Sequence, residues 1–137
     1  MNSQIEVRIN AFRNMLQQLT DSVSHSFDER LYRTLPTQQG IYRIFEKNSP
    51  DITLRAGRTK TAAGGLRQRV YKNHFQGDQS GNLRQQLVND GVSANLEEAK
   101  QFIKDNCRVQ ILIIEDDENR KLAEYFMLAV LQPKYSD

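Results

Sequence analysis

The chain has 137 residues, of which 38% are hydrophobic and 26% charged, with a net charge of +2. That is one domain's worth of chain, with apolar side chains for a single core. No apolar run approaches the ~20 residues that cross a bilayer, the N-terminus lacks the basic and apolar stretches of a leader, and the single cysteine, Cys107, forms no internal disulfide. These features point to a soluble protein of a reducing compartment, the cytoplasm, and away from a membrane protein or a disulfide-stapled secreted one.

The charges are segregated. Residues 30–84 hold eleven Lys or Arg against three acids, a local charge of +8, whereas residues 85–137 carry −4 and residues 1–29 carry −2. A basic middle third suggests a phosphate-bearing partner, although charge alone is equally consistent with a solvated face.

In chain order, Ile5, Ile9, Phe12, Leu16, Leu19 and Val23 recur at steps of three and four and predict a long amphipathic helix. Residues 24–37 read as a short helical piece and a loop. Strands are predicted at 40–46 and 52–57, joined as a hairpin through the turn-forming stretch 47–51. A base-rich helical segment follows over 66–75, then a glycine-bounded loop at 77–81, a short helix over 82–89, and another over 93–105 with Ser93 or Asn95 as cap. Residues 108–114 are the strongest strand signal, and the acidic run 115–118 starts a helix that continues over 122–131 and stops before Pro133.

Within 122–131 the only charged residue is Glu124, on a helix that is apolar nearly all round. A carboxylate in such a place needs a cation, either a metal ion or an Arg or Lys, because desolvating it alone costs several kcal/mol. Tyr42, Arg69 and His74 each have an ordinary reading when taken singly: strand aromatic, surface charge and helix-end residue.

Taken in order, Gly40-Ile41-Tyr42, Arg55-Ala56-Gly57-Arg58-Thr59-Lys60, Leu66-Arg67-Gln68-Arg69, His74, Glu124 and Pro133-Lys134-Tyr135 resemble the GIY-YIG nuclease superfamily over about residues 38–137. The resemblance implies an α/β (α+β) domain with a small, mostly antiparallel three-stranded sheet flanked by helices, preceded by a helical extension over 1–37. It implies a metal-dependent endonuclease that hydrolyses DNA phosphodiester bonds, with Mg²⁺ or Mn²⁺ on Glu124. In that reading Arg69 neutralises the phosphate, Tyr42 takes a proton from water, and His74 assists or orients. Arg55, Arg58, Lys60, Arg67, Lys72 and Arg84 would hold backbone phosphates of DNA, or of RNA, without reading sequence.

This sequence departs from the family pattern in four places. Arg55 stands where the second motif tyrosine would be, Ser136 or Asp137 stands where an Asn often closes the motif, the turn after Thr59 is longer, and His74 follows Arg69 by five residues rather than four. Two further readings stand beside the enzyme. One is a nucleic-acid-binding module on the same fold with a decayed site, and the other is a small interaction protein that forms a homodimer through residues 5–23.

Overall fold

The computed structural model describes residues 2–60, 63–77 and 79–136. Met1, Thr61 and Ala62 of the long turn, Asp78 of the 77–81 loop, and Asp137 of the closing segment lie outside the described residues. Strands β1 (His25–Ser26), β2 (Gly40–Glu46), β3 (Ser49–Arg58) and β4 (Cys107–Ile113) form one antiparallel sheet in the spatial order β1-β4-β2-β3. The mixed α and β class agrees with the expectation, but among the described residues the sheet has four strands rather than three. The additional strand is two residues long, too short for alternating hydrophobicity to mark it.

The hairpin turn is also tighter than the stretch 47–51. Glu46 pairs with Ser49, so Lys47 and Asn48 make the turn and Pro50 lies in β3. A proline is tolerated there because β3 is an edge strand, where a missing N–H takes nothing from the ladder. The chain end then covers that edge, with Lys134 N donating to Thr53 O at 2.9 Å and Tyr135 N to Leu54 O at 2.8 Å.

Helices pack on both faces of the sheet. They are α1 (Ser3–Asp21), α2 (Leu31–Thr34), α3 (Leu83–Asn89), α4 (Leu96–Asn106) and α5 (Asp117–Leu131), together with a π-helix over Arg67–Phe75. One core joins Tyr42, Ile44, Leu54 and Val109 of the sheet to α2, α3, α4 and the π-helix. The other joins Ile41 and Ala56 to Leu19 of α1 and to Ala123 and Met127 of α5. Asparagines cap α3 and α4, and Asp116 caps α5 by accepting from Asn119 N at 2.8 Å.

Residues 1–37, expected as an extension, supply Leu19, Phe27, Leu31 and Leu35 to these cores. Only the C-terminal half of α1 is engaged: Phe12 stacks on Phe126 at 5.7 Å, whereas Ile5 and Val7 are exposed. Leu19→Ala is therefore expected to destabilise the fold by about 2–5 kcal/mol. Ile5→Ala should leave the denaturation midpoint nearly unchanged, and urea unfolding of the two variants checks the contrast.

Candidate functional site

Strands β2 and β3 set Tyr42 directly opposite Gly57. A Cβ at Gly57 would come within 3.0 Å of Tyr42 Oη and 3.5 Å of Glu124 Oε2, so both oxygens close over the same bare Cα. A side chain at position 57 would push them apart, which gives the glycine a steric reason. Tyr42 Oη is also 2.8 Å from His74 Nε2, and both residues are buried, at 0% and 1% exposed. On the other side of the ring, Leu83 N lies 3.2 Å from His74 Nδ1. A backbone N–H only donates, so Nδ1 is the acceptor and Nε2 carries the proton that it donates to Tyr42 Oη.

Glu124 is held by Arg58. Its Oε2 accepts from Arg58 N at 2.9 Å, and its Oε1 lies 3.1 Å from Arg58 Nε without a hydrogen bond forming there. The carboxylate's cation is thus the residue that follows Gly57.

The π-helix explains the odd spacing of Arg69 and His74. Side chains five apart on an α-helix diverge, because each residue turns the chain by about 100°. Here the winding is i to i+5, as in the bond from Gln76 N to Tyr71 O at 2.8 Å, and residues five apart come into line. Gln68 Nε2 accordingly donates to Asn73 Oδ1 at 3.2 Å, and Arg69 and His74 line the same cleft. One extra residue in the helix is absorbed by the winding rather than by rotating His74 away.

That cleft has a volume of about 470 Å³, and Arg55, Arg58, Lys60 and Arg69 line it with no carboxylate among the described lining residues. Arg55 is almost wholly buried and holds one wall, donating to Gly81 O at 3.0 Å and Gln86 Oε1 at 2.6 Å. Arg69 donates to Gln79 Oε1 on the same wall. Three of the expected phosphate contacts lie outside the lining. Arg67 donates to Leu35 O at 3.0 Å, and both Arg67 and Lys72 sit against the Tyr32 ring. Arg84 is buried between Gln76 O, Leu96 O and Glu97, where it fixes α3 to α4.

Burial, and then the charges of Arg55 and Arg69, lower the His74 pKa well below its usual 6.5. The folded protein therefore keeps a neutral His74 at pH values where the unfolded chain has taken up a proton. Stability from this source is complete above about pH 6.5 and falls as the pH drops below it. His25, lowered by burial and Arg108, acts in the same direction. Denaturation midpoints measured from pH 7.5 to 5 should fall more steeply in the wild type than in His74→Gln.

The donor set for a divalent cation is small. Among the described residues no three of His, Cys, Asp and Glu are grouped, and both His74 nitrogens are committed. Glu124 retains lone pairs beyond its contacts with Arg58. Mg²⁺ characteristically takes one or two carboxylates and completes its shell with water and substrate phosphate. The residues present fit such an ion as a single-carboxylate ligand.

Arg120 was not marked as a site residue in the sequence, yet it anchors the position of Glu124. It is buried one turn earlier on α5 and donates to Thr59 O at 2.9 Å, Ile114 O at 3.0 Å and Glu115 O at 3.1 Å. It thereby holds the end of β3 against the helix. An arginine four positions before Glu124, on the same face of α5, is the signal that points to it. Compared with family models, with curated proteins and with solved structures, the chain matches none.

Proposed function

We propose that this chain is a metal-dependent endonuclease of the GIY-YIG type that hydrolyses DNA phosphodiester bonds. The observation that carries the reading is the meeting of Tyr42 Oη, His74 Nε2 and Glu124 Oε2 around Gly57, beside a cleft lined by Arg58, Lys60 and Arg69. A scissile phosphate in that cleft meets three cations, of which Arg69 offers a forked, permanently charged donor for the oxygens of the transition state. Tyr42 takes the proton of the attacking water. His74, fixed as the Nε2–H tautomer by Leu83, donates to the phenolate oxygen and holds its charge, and it is not itself the base in this state. Glu124 would hold Mg²⁺ or Mn²⁺, which when bound supplies Lewis-acid neutralisation of the phosphoryl oxygens.

One observation favours the second reading, a nucleic-acid-binding protein without catalysis: both Glu124 oxygens face Arg58. Both readings require phosphate-dominated binding. DNA affinity should fall steeply with salt, and Lys60→Ala should weaken all sequences alike and reduce the log–log salt slope by about one. Salt-insensitive binding, or none at low salt, contradicts both. Metal-dependent cutting separates them.

A further inference from the structure

Arg55 stands where the family pattern has its second tyrosine, and its charge suggests a phosphate contact. Its side chain is instead turned to the protein: the residue is 2% exposed, and Nη1 donates to Gly81 O at 3.0 Å and to Gln86 Oε1 at 2.6 Å. Gln86 is fixed at its other end, where Nε2 donates to Ser136 O at 2.7 Å. Hydrogen bonds from an ionised donor are about twice as strong as neutral ones, so Gly81 is firmly tied to β3.

Gly81 is the midpoint of the segment 79–83, and both ends of that segment hold a side chain of the cleft. Two residues before Gly81, Gln79 Oε1 accepts from Arg69; two residues after it, Leu83 N donates to His74 Nδ1 at 3.2 Å. Gly81 has a φ of 72°, and among the described residues nothing would meet a Cβ there within 4 Å, so packing does little to hold it. Asn82 and Gln85 tie the segment to itself and to α3, whereas Arg55 ties it to the sheet. If the Leu83 N–H moves away, the imidazole has a second arrangement open, in which Nε2 accepts from Tyr42 Oη and the proton sits on Nδ1. Only the arrangement with the proton on Nε2 supports a phenolate at Tyr42.

We propose that Arg55 is a positioning residue: by pinning Gly81 it holds the segment 79–83 so that Gln79 orients Arg69 and Leu83 fixes the His74 tautomer. The part that concerns Arg69 rests on the reading of the cleft as a phosphate site. The test uses the full chain, with nitrogen-15 NMR of the His74 ring at pH 7.5 and calorimetric titration of inorganic phosphate. The wild type should show one neutral tautomer, with the proton on Nε2, and Arg55→Met should show both. Arg55→Met should also weaken phosphate by about tenfold, the order of one hydrogen bond to a charged group. In an Arg69→Ala background the same change should leave phosphate affinity within about twofold, because Arg55 acts through Arg69. Gln86→Ala, a half-buried helix position, changes no charge and should move both readouts in the same direction, and it carries the test if Arg55→Met does not fold. A single tautomer retained in these variants overturns the proposal, and so does an equal loss of phosphate affinity with and without Arg69, which would make Arg55 a direct contact. Failure of phosphate to bind the wild type overturns the phosphate reading, and the tautomer measurement then decides the pinning by itself.

Discussion

Replacement of Glu124 by Gln is expected to reduce divalent-dependent DNA cleavage by at least about a hundredfold, since it removes the carboxylate that would hold the metal. DNA affinity at low salt should rise slightly, because a negative charge beside the basic cleft is removed. Glu124 is only 15% exposed and contacts Arg58 through both oxygens, so the change also carries a stability cost. Gln keeps an acceptor for Arg58 N but loses the charge, for a cost of about 1–3 kcal/mol. Single-turnover cleavage and urea denaturation of the same preparation separate the two effects. A variant that cuts as fast as the wild type removes Glu124 from the metal-binding role and leaves it as the partner of Arg58.

Tyr42→Phe should lower the cleavage rate by about 10²–10⁴-fold, the usual contribution of a positioned acid or base. The phenyl ring keeps its packing in the core, but His74 Nε2–H is left without its acceptor in a buried place, which costs about 1–3 kcal/mol. DNA affinity and its salt slope should be unchanged, because Tyr42 sits behind the cationic lining. Equal rates in the two proteins contradict the assignment of Tyr42 as base.

Several of these features are legible in the sequence. The helix over Ile5 to Leu19, the strands around Tyr42 and Val109, and the low exposure of Glu124 follow from periodicity and composition, and each has its counterpart in the fold, although α5 is charged in its first turns and exposes Leu122, Tyr125 and Val130. Features created by pairing in space were not legible. The His25–Ser26 strand exists only because β4 offers it an edge. The turn at Lys47 and Asn48 depends on β3 being an edge strand that accepts Pro50.

The basic residues show the same limit. Arg58, Lys60, Arg69 and Arg84 look alike in the sequence, yet Arg84 points inward to backbone carbonyls and Glu97 while the other three line the cleft. An arginine has five donors and a long stem, and whether they meet solvent or carbonyls depends on which helices converge there. The five-residue step from Arg69 to His74 read as a departure from the family pattern. The π winding gives it a physical meaning that no hydrophobic period could reveal.

The central claim is most directly tested by incubating the full chain with DNA as single strands, duplexes, flaps and junctions, in Mg²⁺ or Mn²⁺ and in chelator, beside Arg69→Ala. The account predicts phosphodiester cleavage of at least one form by the wild type, abolished by chelator, and slowed at least about a hundredfold in Arg69→Ala at saturating protein. Binding of these DNAs without cleavage of any of them in either metal, or cleavage that proceeds equally in chelator, contradicts it.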